Sequence, residues 1–96
     1  MSLPPPHAVD ATYRGQVQGV GFRYTVERLA QDHPYVTGYV KNMADGTVFL
    51  HLEGARADIE ALLRAIAHGA LERYIRGVEV RAVTPSGRYR DFRIAF

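Results

Sequence analysis

Hydrophobic and polar positions alternate from Val9 onward. Val9, Ala11, Tyr13, Gly15 and Val17 fall on one face, and Asp10, Thr12, Arg14 and Gln16 on the other, which is the period of a half-buried strand. The glycines at 19 and 21 end it. Phe22, Val26, Leu29 and Ala30 then recur at helical spacing until His33-Pro34 closes the helix. A second strand is predicted from Val36 to Met43 and a third from Thr47 to Glu53, joined by the hairpin turn Ala44-Asp45-Gly46. The third strand puts Val48, Leu50 and Leu52 inward, with Thr47, Phe49, His51 and Glu53 outward. Ile59, Leu62, Leu63, Ile66 and Ala70 form the apolar stripe of a second helix, with Asp58 and Glu60 in its first turns and Gly69 as its stop. A fourth strand runs from Gly77 to Val83, Pro85-Ser86-Gly87 turns the chain, and Phe92, Ile94 and Phe96 mark a short terminal strand.

The order β-α-β-β-α-β plus a terminal strand predicts an α+β, ferredoxin-like split βαβ sandwich. In it an antiparallel sheet carries two helices on one face, because each strand has one apolar face and each helix one apolar stripe. Residues 1–8, which include three consecutive prolines, are predicted to be a flexible leader, with residues 9–96 forming a single domain. Such a fold hosts many activities and decides none of them.

Composition removes several classes of chemistry. The chain has 96 residues, of which 47% are hydrophobic and 23% charged, so it folds rather than remaining disordered. With no cysteine there is no disulfide, thiolate metal site or cysteine nucleophile. No apolar run approaches a membrane span of roughly 18 residues, and the start lacks the pattern of a secretory signal. A cytoplasmic monomer or small oligomer is the expectation. The net charge of +2 is spread among acids, so no block reads as a nucleic-acid tail. One stretch differs: from Ala11 to Val26 there is no acid, while Arg14 and Arg23 are both present. That points to a small anion.

The segment Gly15-Gln16-Val17-Gln18-Gly19-Val20-Gly21-Phe22-Arg23 joins the first strand to the first helix. Its glycines allow a tight loop whose N–H groups converge, and it leads into a helix N-terminus, where unpartnered N–H groups and the dipole favour an anion. Arg23 lies in that first turn, an unfavourable place for a cation unless an anion sits between it and the amides. Phosphate suits a guanidinium, which can bind two of its oxygens at once. The glycines alone fit a tight turn with a solvated Arg23 equally well; Arg23 and the missing acids shift the balance toward a site. Two other phosphate loops fail on spacing. A dinucleotide fingerprint needs a glycine at the position of Tyr24, and a P-loop needs Gly-Lys-Ser/Thr, whereas the only lysine is Lys41.

Asn42 ends the second strand. Taken alone it reads as a turn residue; with the second strand beside the first, it would lie near the Arg23 loop and could accept a hydrogen bond from a water. Asp45 is explained by the turn. His7, His33, His51 and His68 show no ligand spacing, and His51 reads as a solvated residue on the open face of the sheet. Tyr13, Phe49 and Arg93 would suit a base-stacking sheet, but the third strand lacks the aromatic pattern of one.

The two motifs in order, Gly15 to Arg23 and Gly38-Tyr39-Val40-Lys41-Asn42 followed by Asp45-Gly46-Thr47-Val48, resemble the acylphosphatase family. The resemblance runs from about Val9 to Phe96. It implies hydrolysis of small acyl phosphates without metal or covalent intermediate; no cofactor and no nucleic-acid or membrane partner is expected, and the competing reading is a non-catalytic anion- or nucleic-acid-binding module that uses the same loop. By the same resemblance the amides of Gln18, Gly19, Val20, Gly21, Phe22 and Arg23, with the Arg23 side chain, would bind the phosphoryl group, and Asn42 would position the water. Tyr39 stands where the family often has tryptophan, and the segments 31–37 and 71–76 depart from its usual pattern. These departures bear on substrate preference and leave the cradle motif intact. A related domain occurs as a module in hydrogenase-maturation proteins that handle carbamoyl phosphate; the end at Phe96 favours a free-standing enzyme.

Overall fold

The computed structural model describes residues 5–96; Met1 to Pro4, the first half of the expected leader, lie outside the described residues. The elements are β1 (His7–Gly15), α1 (Phe22–Ala30), β2 (Thr37–Asn42), β3 (Val48–Gly54), α2 (Arg56–Ala67), β4 (Ile75–Val83) and β5 (Phe92–Ala95), with a 3₁₀ turn at Glu72–Tyr74. They form one sheet in the order β4-β1-β3-β2-β5 with both helices against it. The α+β ferredoxin-like arrangement stands. Its four longer strands are antiparallel neighbours, while β5 adds in parallel to β2, so the whole sheet is mixed.

The expectation that the first two strands are neighbours is corrected. β3 lies between β1 and β2 and pairs antiparallel with both. The crossover through α1 skips one place, and the hairpin returns β3 into the gap. β1 and β2 are therefore parallel but separate, and one row of the sheet reads Tyr13, Val48, Asn42. Because β5 runs the same way, with Ala95 beside Lys41, the carboxyl ends of β1, β2 and β5 gather at one edge of the molecule.

The alternating faces fold as their pattern demands. Val9, Ala11 and Tyr13 of β1 and Val48, Leu50 and Leu52 of β3 are buried beneath the helices, where they meet Phe22 and Val26 of α1 and Ile59, Leu62 and Ile66 of α2. Fully burying each such side chain contributes about 1.5–3 kcal/mol. Tyr13 packs against Phe22 with ring centroids 5.3 Å apart, so it does not share a face with Phe49 and Arg93. The second helix ends at Ala67, short of Gly69, and Ala70 is exposed. Leu71 re-enters the core in its place, carried by the 3₁₀ turn.

The open face holds a feature that the sequence reading does not contain. Residues 84–91 cross from β4 at one sheet edge to β5 at the other, and Glu53 binds this strap. Its carboxylate accepts from the Ser86 N–H at 3.1 Å, the Ser86 hydroxyl at 2.8 Å and the Gly87 N–H at 2.9 Å. His51 is not a solvated histidine. It lies between Asp10 and Glu53, 2.6 Å from each, and Tyr39 and Tyr89 pack against its ring. Burial opposes protonation of His51, but the bonds to Asp10 and Glu53 win and raise its pKa. Burial likewise pushes Glu53 up, and its bonds from His51, Gly87 and Ser86 outweigh that and bring it to about 2.

The linkage has opposite signs for the two groups. Glu53 contributes fully above the ordinary carboxylate range and loses its contribution as pH falls toward about 2. His51 contributes fully below its ordinary value of 6.5, and the contribution fades as pH rises through the raised one. Denaturant midpoints are therefore expected to be highest between those ranges. In His51→Gln the decline on the alkaline side should flatten, at an overall destabilisation of about 1.5–3 kcal/mol for the lost charged hydrogen bonds. A variant profile parallel to that of the native protein would contradict the assignment.

Candidate active site

Where β1 ends, the chain turns through Gly15 to Gly21 into α1. Gly19 and Gly21 have φ of +79° and +75°, a region that costs an L-residue with a side chain roughly 1–2 kcal/mol. A Cβ at either would meet nothing within 4 Å, so conformation rather than space calls for glycine there. Gly21 sits at the N-cap of α1 and no side chain caps the helix. Among the described residues, the backbone N–H groups from Gln18 to Arg23 donate to no backbone carbonyl. The loop thus presents unpaired donors at the positive end of a helix dipole.

Arg23 lies in the first turn, which contains no acid. Among the described residues it has no carboxylate partner. Its guanidinium is steadied from the β5 end, where Nη1 lies 3.5 Å from the Ala95 carbonyl and Cζ 5.0 Å from the centre of the Phe96 ring. Neither contact neutralises its charge.

Asn42 follows Gly38 and Val40 on the helix-facing side of β2, and Val40 is fully buried. The Asn42 Oδ1 is buried without a hydrogen-bond partner, the one such side-chain atom among the described residues. An unpaired buried acceptor is destabilising by about 1–3 kcal/mol, so it calls for an explanation. Val17, Gly19, Gly21, Arg23 and Asn42 line one cleft of about 270 Å³, just under the roughly 300–1,000 Å³ that accommodates drug-sized ligands. Of the residues singled out in the sequence, Gly19, Gly21, Phe22, Arg23 and Asn42 line this cleft, whereas Gln18 and Val20 do not.

Gln18 has a different part. Its side-chain Nε2 donates to the Met43 carbonyl at 2.8 Å and the Thr47 carbonyl at 2.9 Å. These two bonds tie the glycine loop to the β2–β3 hairpin across the skipped strand. Sequence reading assigned Gln18 only its backbone amide, because the two carbonyls stand 25 and 29 residues away. Inside the hairpin, Asp45 Oδ1 accepts from the Thr47 N–H at 3.0 Å and the Thr47 hydroxyl at 2.6 Å. Asp45 thus does turn chemistry, and the hydroxyl bond holds its carboxyl below its ordinary pKa.

A cleft of about 330 Å³ between α2 and β4, lined by Leu63, Ile75, Val78 and Val80 among others, is more apolar. No group of three His, Cys, Asp or Glu side chains suited to a metal ion occurs among the described residues.

The cleft thus brings unpaired N–H donors and an uncompensated guanidinium to the carboxyl ends of the parallel strands, an arrangement whose chemistry suits an anion. The comparisons narrow that chemistry. A family model described as Acylphosphatase matches residues 9–94. An acylphosphatase of Thermotoga petrophila is 42% identical over 89 residues, covering 93% of this chain and 97% of that protein. The crystal structure of acylphosphatase from Bacillus subtilis superposes with a TM-score of 0.84 at 28% identity, covering 94% of this chain and 99% of that one. Full-length HypF in its phosphate- and nucleotide-bound form matches with a TM-score of 0.88 at 34% identity over 99% of this chain, but only 12% of HypF. This chain belongs to the acylphosphatase family.

Gln18→Ala removes both links between loop and hairpin. A loss of about 1–2 kcal/mol in urea unfolding is expected, at about 1 kcal/mol for each bond. An unchanged urea midpoint would show that the hairpin keeps its place without Gln18.

Proposed function

We propose that this domain, residues 9–96, hydrolyses the mixed anhydride of small acyl phosphates to a carboxylate and phosphate by direct attack of water. The observation that carries this reading is the pairing, in one cleft, of uncompensated donors around Arg23 with the orphaned acceptor of Asn42. The N–H groups of Gln18 to Arg23 and the Arg23 guanidinium hold the phosphoryl oxygens. Asn42 Oδ1 accepts a hydrogen bond from the attacking water and orients its lone pair toward phosphorus. The water oxygen bonds to phosphorus as the bond from phosphorus to the acyl oxygen breaks. That bond's electron pair leaves with the carboxylate, and the water proton passes to a phosphoryl oxygen.

The chemistry asks little else of the protein. A carboxylate leaves readily, so no strong general acid is required. A loose phosphoryl transition state is helped chiefly by positioning and charge stabilisation. Arg23 is well suited to both, because its fork matches two phosphoryl oxygens. The reaction as drawn uses no metal and no cofactor. The substrate is a small molecule, and we place the enzyme in the cytoplasm as a monomer.

Arg23→Ala should lower kcat/KM for acetyl phosphate by at least ~10²–10³-fold, the loss typical of removing an oxyanion donor. Asn42→Ala should lower kcat with little change in inhibition by inorganic phosphate. The assay is phosphate release with chelator present. Near-native turnover in Arg23→Ala would sink the assignment, and weaker phosphate inhibition at native kcat would make Asn42 a binding residue instead.

A further inference from the structure

One edge of the sheet is open. In the order β4-β1-β3-β2-β5, β4 has β1 on one side and, among the described residues, no strand on the other. It therefore presents a row of N–H and C=O groups able to pair with a further strand. Residues 78–82 of it are all exposed. Val78 and Val80, opposite Tyr13 and Ala11 of β1, stand on the helix side of the sheet. Each is nevertheless 46% exposed, because α2 leaves a cleft above them. Glu79 and Arg81, opposite Thr12 and Asp10, stand on the open face, and neither has an ion-pair partner among the described residues. Charges on an edge strand ordinarily keep a second copy away. Here the two have opposite signs and flank Val80, so in one arrangement they attract.

We infer that β4 is a pairing edge for a second copy of this chain, which joins it antiparallel about a two-fold axis beside Val80. Val80 then faces the partner's Val80, Val78 faces the partner's Ala82, and Glu79 faces the partner's Arg81 on both sides of the axis. Such a two-fold keeps each face of the sheet on its own side, so the axis has to pass beside a residue. Moving it by one residue sets Glu79 against the partner's Glu79, or Arg81 against the partner's Arg81. Moving it by two leaves both charges without a counterpart. Opposite charges directly across two strands stabilise the pair and like charges destabilise it, so charge selects the register beside Val80. On the helix side the two clefts, each of about 330 Å³, meet across the seam, and Val78 and Val80 are withdrawn from water. The strand's own charges complete one another in this arrangement, which favours a second copy over an unrelated strand. The pairing uses β4 of both chains and closes at two. One short strand pair makes a small interface, of the kind that forms weak and transient complexes. At assay dilution the enzyme is thus the monomer proposed above. No residue of β4 lines the cleft of Arg23 and Asn42, so each copy keeps a complete site.

Sedimentation velocity of the full chain at low salt, from about 10 μM to about 1 mM, covers the range in which so small an interface fills. The sedimentation coefficient should rise from the monomer value to the dimer value and stop there. Glu79→Arg and Arg81→Glu should each raise the dissociation constant at least ~10-fold, because each sets like charges against one another at two crossings. An equimolar mixture of the two variants should pair again, and so should the double variant, since both restore opposite charges at every crossing. Urea midpoints establish that each variant is folded; should Arg81→Glu unfold beside Asp10, Glu79→Arg and the double variant carry the comparison. A native chain that stays monomeric at the highest concentration would overturn the inference. So would growth beyond the dimer, dimerisation of Glu79→Arg at native strength, or a double variant that fails to pair.

Discussion

The candidate site depends on two hydrogen bonds from one side chain. Sheet topology places the loop after β1 and the end of β2 at the same edge, but with β3 between the two strands. Gln18 closes that gap by donating to carbonyls on both sides of the hairpin turn. The backbone ladders set Tyr13, Val48 and Asn42 in one row, and the Gln18 link ties the loop beyond β1 to that row. The parallel direction of β1, β2 and β5 does the rest, since it brings loop, asparagine and the end of β5 to one place. A mostly antiparallel sheet thereby gathers strand ends at one edge, the place where parallel sheets bind their ligands.

Within that frame the chain keeps several polar groups unsatisfied. Two glycines in left-handed conformation open the loop, its amides lack partners, Arg23 stands at the wrong end of a helix for a cation, and Asn42 Oδ1 is orphaned. In the proposed reading, one tetrahedral anion and one water would satisfy the amides, Arg23 and Asn42 together. On the opposite face the demands run the other way. There Glu53, His51 and Asp10 satisfy one another and fasten the strap to the sheet. Native proteins depart from local rules mainly at functional sites, and here the departures concentrate in a single cleft.

Much of this was legible in the sequence, for a local reason. Alternation in Val9 to Val17 and in Val48 to Leu52, and the helical spacing of Phe22, Val26 and Ala30, record which face is buried, and burial follows them. Glycines 19 and 21 and the acid-free stretch around Arg23 are likewise local signals, so the loop could be located. What could not be read was pairing at a distance. The adjacency of the first two strands was expected and is wrong, because strand order is decided by where the β2–β3 hairpin returns. The outward position of His51 was expected, but not the carboxylates that clasp it. Glu53 and Ser86 are 33 residues apart, and no spacing rule joins them. Asn42 read alone as a turn residue because its significance lies in an oxygen left without a partner, which only the packed structure reveals.

The central claim is that one anion is held by the loop amides and Arg23 together. Titration of inorganic phosphate into the isotope-labelled protein, followed by amide nuclear magnetic resonance, tests it most directly. The amide signals of Gln18 to Arg23 should move together along a single saturable curve, with smaller changes at Asn42, and in Arg23→Ala those movements should largely vanish at the same phosphate concentration. Saturable shifts centred on the cleft between α2 and β4, or shifts at the loop that persist undiminished in Arg23→Ala, would contradict the account.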